Sequence, residues 1–479
     1  MLAGAAAGLA ASSLGVTRLA QAQQTPAGPA KRQPNIVVIL TDDLGNADLG
    51  YRGSDIKTPN IDALAAGGVR LESFYGMPAS TPARAALMTG RYPMRYGLQT
   101  LSISPSQTYG LPTEERTLAQ ALKEAGYRTA MVGKWHLGHA DQKYWPQNRG
   151  FDHFYGSLVG EVDHITKELG GLIDWQRNGQ FLKENGYSTT QIGDEAVRII
   201  DANGSGKPLF LYVAFLAPHG PYQAPATYVD RYKSIADEKR RTYAAMVTAL
   251  DDQIGRIVAA LDKKGMRDNT VIVFASTSGG GKAPASNGDL RGGKGSLHEG
   301  GVRVPTILNW PGTLKPAVIN EPLHLVDLMP TLLTLAGARG GSDRPFDGKD
   351  IWPTLASGAP SPHEDILIDL ESFRGAVRKG DWKLVKVYLM PGTVELFNLA
   401  SDPGEKNNVA PQHWDLVHEL EARLGRYAKD MEPSKWFKAQ PALVDAHGHT
   451  VFDSDFDIDD SGLPHEKPAL PGVGSRALQ

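Results

Sequence analysis

The sequence predicts an α/β protein: a large, mostly parallel sheet sandwiched by helices, followed by a smaller C-terminal α+β subdomain. Three observations carry this prediction. Apolar runs such as "NIVVIL" (35–40), "LFLYVAFL" (209–216) and "VIVF" (271–274) have no polar interruption, the pattern of strands covered on both faces. Segments with helical spacing of apolar residues lie between them, as βαβ connections require. From about Ile366 the runs become short and closely spaced, which reads as antiparallel hairpins.

The elements follow in order. "NIVVILTDDLG" is a buried strand that runs into a loop. "RTLAQALKEAG" is a helix stopped at Gly126, followed by a strand over Arg128–Val132. Leu209–Leu216 is a strand ending in the Pro-rich loop "APHGPY". "RRTYAAMVTALDDQIGRIVAALDKKG" is a long amphipathic helix, "VIVFASTSGGG" a strand entering a glycine loop, "VPTILNW" a short strand and "LVDLMPTLLTLAG" a helix. "RGAVRKGDWKLVKVY" and "VELFNLASDP" read as antiparallel strands before a helix at "WDLVHELEARLGRYAK". The expected boundaries are 33–365 for the catalytic domain, 366–432 for the C-terminal subdomain and 433–479 for an irregular tail. The acidic run "DSDFDIDD" in that tail reads as a solvated segment.

Composition limits the function classes. The 479 residues carry a formal net charge of −3, without the basic excess of a nucleic-acid binder. There is no cysteine, so disulfides, thiolate metal sites and a cysteine nucleophile are excluded. The 53 glycines and 32 prolines indicate a loop-rich architecture. Residues 1–22 form an apolar, small-residue run ending in Ala20-Gln21-Ala22, which reads as the back half of a secretory signal with a trimmed start. A "LAGAAAG" core of this kind fits a twin-arginine signal, and the expected destination is the periplasm or the exterior. No other stretch approaches the ~18 apolar residues that span a bilayer, so no membrane span is expected.

Ligands of open α/β sheets bind at the carboxyl ends of the strands. The first strand delivers Asp42 and Asp43 there, the Arg128 strand Lys134 and His136, and the Leu209 strand His219. The loop after "VIVFAS" leads to Arg291 and Lys294, and "PASTPAR" supplies Ser80 and Arg84. Paired aspartates suit a hard cation such as Ca²⁺ or Mg²⁺. Arg and Lys clamp anionic oxygens, His serves as acid or base near neutral pH, and a helix N-terminus at Ser80 favours an anion. Each piece has a plainer reading: Ser80 as a helix N-cap, the aspartates as a loop cap, Arg291 and Lys294 as solvated charges. Their joint arrival at strand ends favours attack on a tetrahedral oxyanion ester.

The segments "PNIVVILTDDLG", "TPNIDALAAGGVRLESFY", "STPARAALMTGRYP", "GYRTAMVGKWHLG", "APHGPY", "RGGKGSLHEGGVRVPTILNWPG", "AVRKGDWKLV" and "ELFNLASDPGEKNNVA" together resemble the type I sulfatases of the alkaline-phosphatase superfamily. "GFDHFYGSLVGEVDH…DWQRNG" is most similar to the arylsulfatase B-type branch. The resemblance implies an alkaline-phosphatase-like fold and hydrolysis of an aryl or carbohydrate sulfate ester. It implies that Ser80 is oxidised to formylglycine by a sulfatase-maturing enzyme before export, and that Arg84 supports that residue. It also implies that Lys134 binds formylglycine and sulfate, that His136 is the base for sulfate release, that His219 and Lys294 contact sulfate and protonate the leaving oxygen, and that Asp42 and Asp43 bind Ca²⁺.

One segment departs from the family. Where sulfatases read Ser-Asp-Asn-Gly, this chain has Ser276-Thr277-Ser278-Gly279. Two hydroxyls replace a carboxylate and an amide, which removes a negative charge from the cation site. Asp289 is a candidate replacement ligand. Two alternatives stand beside the sulfatase reading: a phosphate or phosphonate esterase using Ser80 directly, and a non-catalytic binder of sulfated glycans.

Overall fold

The computed structural model describes residues 32–439, apart from 205, 282 and 340–343. In chain order the elements that build the site are β1 (Asn35–Thr41), α1 (Ser80–Thr89), β2 (Arg128–Gly133), β3 (Leu209–Ala214), α2 (Glu238–Lys263) and β4 (Thr270–Ser276). β1 lies between β3 and β4 and pairs parallel with both, and β2 continues the parallel array beyond β3. His153–Gly156 extends it further, and short strands, joined antiparallel to the array on each side, complete a ten-stranded sheet. The chain thus leaves β1 toward β2 on one side and returns to β4 on the other. The end of β1 is the crevice where such sheets bind ligands.

Both faces of β1 are apolar because both are covered. Ile36, Val38 and Leu40 enter one core, with Ala83, Leu87 and Met88 of α1 and Leu332 and Leu333 of helix Leu328–Ala336. Val37 and Ile39 enter the other, with Ala244, Val247 and Ile254 of α2 and Ile192 and Ile199 of helix Ser188–Asp201. The continuous hydrophobic run is therefore two interleaved faces of period two. Helix Ser188–Asp201 escapes the sequence reading, although Ile192, Ala196, Ile199 and Ile200 mark its buried stripe.

Ile366–Leu370, Arg374–Lys379, Trp382–Val387 and Thr393–Asn398 form a four-stranded antiparallel sheet in sequential order. Helix Trp414–Ala428 covers one face through Val417, Leu420 and Leu424, against Leu367, Val377 and Leu384. The other face presents Ile368, Ala376, Val385 and Phe397 to Tyr75, Leu297 and Val302. The change of pattern at Ile366 is thus a change of sheet inside one compact unit that begins at Gln33.

The tail expected to be irregular from 433 starts with order. The Glu432 and Lys435 amides donate to the Met94 and Gly97 carbonyls, Thr100 donates to Ser434, and Lys435–Ala439 is a short helix. These bonds to distant loop residues leave no periodic trace in the sequence. The signal-like segment and the acidic run lie outside the described residues.

Candidate active site

Ser80 is the first residue of α1, and the N-cap is Ala79, which has no capping side chain. The N-cap reading of Ser80 therefore fails. Its hydroxyl instead donates to Asp42 Oδ1 at 2.8 Å and accepts from Arg84 Nε at 3.1 Å. Arg84 lies one helical turn on, the spacing that brings i and i+4 onto one face. Its Nη1 donates to the Lys134 carbonyl at 2.8 Å, which anchors it to the β2 loop, and its Nη2 lies 3.4 Å from Asp42 Oδ1.

The strand ends supply the rest. Lys134 Nζ donates to Asp42 Oδ2 at 2.7 Å. Lys294 Nζ donates to Asp43 Oδ2 at 2.8 Å, and His219 Nε2 lies 3.5 Å from the same oxygen. Ser80, Arg84, Lys134 and Asp42 are thus one bonded group, and Asp43, His219 and Lys294 a second, joined through the 42–43 peptide. Asp43 (φ 61°) and His136 (φ 57°) both hold left-handed backbone conformations, which cost energy for residues with a Cβ and concentrate at functional sites. Gly160 (φ +85°) packs on Lys134 so closely that an added Cβ would lie 2.3 Å from Lys134 Cγ.

The electrostatics follow from this packing. Burial opposes ionisation of Asp42, but Lys134, Arg84, His219 and Lys294 outweigh it and hold the carboxyl well below the usual range. Burial likewise opposes the Lys294 ammonium, but Asp43 and Asp42 push it above its ordinary value. For His219, burial and then Lys294 and Lys134 lower the imidazole, against the pull of Asp43 and Asp42. Its Nδ1 faces the Gly220 carbonyl at 2.6 Å and Nε2 faces Lys294 Nζ at 2.9 Å. Nδ1 therefore carries the proton, and Nε2 accepts from the ammonium.

His136 is the complementary case. Burial, then Lys134 and Arg84, hold its imidazole well below the ordinary value. Nε2 faces the Ile103 carbonyl at 3.0 Å, so that nitrogen carries the proton. Nδ1 is buried with no hydrogen-bond partner among the described residues. A buried unpaired acceptor costs about 1–3 kcal/mol, and such exceptions call for a role. Thr81, unnoticed in sequence, fixes this geometry. Its hydroxyl donates to the His136 carbonyl at 2.9 Å and accepts from the Ile103 amide at 3.1 Å.

Two expected contributors lie elsewhere. Arg291 pairs with Glu395 at 3.0 Å, because the C-terminal sheet supplies a carboxylate closer than the strand ends. Asp289 is exposed and lines a separate shallow cleft with Asn46, Arg52 and Arg303. Two other residues escape sequence reasoning altogether. His164 donates from Nε2 to the His219 carbonyl at 3.1 Å. Arg374 donates to the Gly295 carbonyl at 2.6 Å, next to Lys294, and its Nε and Nη2 lie 2.8 and 2.6 Å from Glu371 Oε1. His164 ends the segment "GFDHFYGSLVGEVDH" and Arg374 begins "RGAVRKGDWKLVKVY", but neither pattern shows the contact, because each partner lies more than fifty residues away in the chain.

A sulfatase family model matches residues 34–338. The chain belongs to the sulfatase family. A model of the N-sulphoglucosamine sulphohydrolase C-terminal region matches residues 293–430 of this sulfatase. It is 36% identical to arylsulfatase J of Mus musculus over 88% of its own length and 80% of that protein's. It is also 36% identical to N-acetylgalactosamine-6-sulfatase of Homo sapiens, over 69% and 67%. The solved structure of Ps i-CgsB in complex with k-i-k-neocarrahexaose superposes with a TM-score of 0.80 at 35% identity, covering 85% of this sulfatase and 95% of that chain. The protein is accordingly a sulfuric ester hydrolase. Among the described residues no helix of this sulfatase is long and apolar enough to cross a membrane.

Ca²⁺ and formylglycine are typical of the family, and the site treats them differently. The cradle of Ser80 fits the modified residue: Arg84 Nε and Asp42 hold its oxygen. The donor set does not fit a resident Ca²⁺. Thr277 and Ser278 hydroxyls donate to Asp42 Oδ1 and Asp43 Oδ1, both at 2.9 Å. Two carboxylates are then left for an ion that takes six to eight oxygens. Among the described residues no three acidic or histidine side chains are gathered to hold a metal.

Proposed function

We propose that this sulfatase cleaves the sulfate ester of a sulfated glycan or aryl sulfate through formylglycine formed from Ser80. The observation that carries the reading is the Ser80 hydroxyl held between Arg84 Nε and Asp42, with the His136 carbonyl tied to the next residue, Thr81. Formylglycine, hydrated, supplies two hydroxyls on one carbon, one to attack sulfur and one whose proton loss expels sulfate.

The chain's own residues do the rest. Asp42, ionised at neutral pH, orients the nucleophilic oxygen and keeps Lys134 in place. Lys134 and Lys294 face the ester oxygens and offset the charge that grows there. The Lys294 ammonium holds the proton for the leaving oxygen, and the unprotonated His219 Nε2 fixes its direction. His136 Nδ1 takes the proton whose removal releases sulfate. A carbohydrate substrate is supported by relatives named N-acetylgalactosamine-6-sulfatase and by a neighbour solved in complex with k-i-k-neocarrahexaose. A sulfatase-maturing enzyme acting before export to the periplasm or exterior fits the signal-like residues 1–22.

Mass analysis of the Ser80 peptide, from protein made in a host with a maturing enzyme, tests this. A loss of two hydrogens together with aldehyde labelling is the expected result. Full turnover with unmodified serine sinks the reading. It would favour direct attack by Ser80, for which the 2.8 Å bond to Asp42 already provides a proton acceptor.

A further inference from the structure

The end of β4 places two hydroxyls, Thr277 and Ser278, against the paired aspartates. Every carboxylate oxygen of the pair has a donor. Asp42 Oδ1 receives Ser80 and Thr277, at 2.8 and 2.9 Å, and Oδ2 receives Lys134 at 2.7 Å. Asp43 Oδ1 receives Ser278 at 2.9 Å and Oδ2 receives Lys294 at 2.8 Å. The two negative charges already face the permanent positive charges of Lys134, Lys294 and Arg84. A divalent cation here would have to displace an ammonium from each aspartate, and beyond the two carboxylates it would gain only neutral hydroxyls. Hard cations are selected by the number and charge of their oxygen ligands, and both are low.

We infer that Asp42 and Asp43 serve as counter-ions for Lys134 and Lys294, and that this chain keeps no resident divalent cation. The anionic ester group is then bound by a purely side-chain clamp. The two ammonium groups occupy the electrostatic role that a hard cation would otherwise have. Thr277 and Ser278 are the determinants: their hydroxyls neutralise one lone pair on each aspartate without adding charge. The inference rests on the reading of this cluster as the sulfate-ester site, but it is tested by a different quantity.

The test is a calorimetric titration of CaCl₂, and separately MgCl₂, into the full chain after EDTA treatment. Metal content and melting temperature are measured alongside, and the Thr277→Asp/Ser278→Asn double variant is treated in the same way. The expected wild-type result is Ca²⁺ binding no tighter than about 1 mM, the weak end of oxygen-ligand sites, with a melting temperature indifferent to EDTA. The double variant regains a carboxylate and an amide and is expected to bind Ca²⁺ at least about 100-fold more tightly. Wild-type protein carrying one cation per chain, or binding Ca²⁺ in the micromolar range, overturns the inference. So does a folded double variant that binds no better than wild type. Should the double variant not fold, the wild-type titration decides alone. The Ser80 peptide mass is unaffected by any of these outcomes, so a failure of the cation inference is separable from a failure of the proposed chemistry.

Discussion

The two halves of the reactive cluster are built on different foundations. Asp42, Lys134 and His219 follow adjacent parallel strands, and the sheet itself sets their spacing. Lys294 rides on a loop whose backbone bonds to other loops: the Lys294 amide donates to the Gly280 carbonyl at 3.0 Å and the Gly295 amide to the Pro78 carbonyl at 2.9 Å. It is clamped by the C-terminal sheet at three points: Arg291 and His298 to Glu395, the Gly295 carbonyl to Arg374, and Glu299 to the fully buried Lys383. Lys383 also bridges to Glu405, 2.9 Å from each carboxylate. The strand-end half is thus placed by the backbone of the sheet, and the loop half by loop-to-loop backbone bonds together with side-chain contacts to the second sheet. On the proposed chemistry the second sheet supports the reacting centre by holding the Lys294 loop.

Substitutions sharpen this contrast. The largest effect belongs to the strand-end half. Lys134→Ala leaves Asp42 buried without its ammonium and, on the proposed chemistry, removes a charge that faces the ester. We expect kcat to fall about a thousandfold, measured by steady-state kinetics on protein whose circular dichroism is native. Next is the anchor: Lys383→Met leaves Glu299 and Glu405 buried beside each other without their shared cation. Breaking such a buried pair costs about 3–5 kcal/mol, and the midpoint of urea unfolding should drop accordingly. An unchanged midpoint would mean that the Lys383 ion pairs add nothing to the hold on the loop.

His164 gives a prediction in pH. Burial lowers its pKa from 6.5 to about 4. The unfolded chain therefore takes the proton first. His164 costs nothing above about pH 6.5 and weakens the fold progressively as pH falls toward 4, by about 3 kcal/mol in all. His164→Gln keeps a donor for the His219 carbonyl, and stability measured from pH 7 to pH 4 should fall less steeply in this variant than in wild type.

The smallest effect is Arg374→Lys. The lysine cannot bond Gly295 and Glu371 together as the guanidinium fork does. We expect kcat to fall about tenfold with KM little changed. The alkaline limb of the rate profile should also move to lower pH, because Lys294 loosened from Asp43 loses the charge that raises its pKa. A rate loss without that movement would assign Arg374 to stability alone.

Much of this is legible in the amino-acid sequence, for a physical reason. Strands buried on both faces must be continuously apolar, so β1, β3 and β4 announce themselves. Residues just beyond such strands have one place to go, so chain order alone names Asp42, Asp43, Lys134, His136 and His219. Ser80 and Arg84 share a helical face through a spacing written in the chain. The hydroxyls at Thr277 and Ser278, where the family carries a carboxylate and an amide, are equally plain in the sequence. Other features have no local signature. Arg291 stands beside Lys294 in the same loop, yet it turns to Glu395, about a hundred residues on. The support of Lys294 by Arg374, of His219 by His164 and of His136 by Thr81 depends on which chain segments the fold brings together. Local periodicity reports burial, whereas a hydrogen bond between distant segments depends on angstrom-scale placement that only the packed tertiary structure sets.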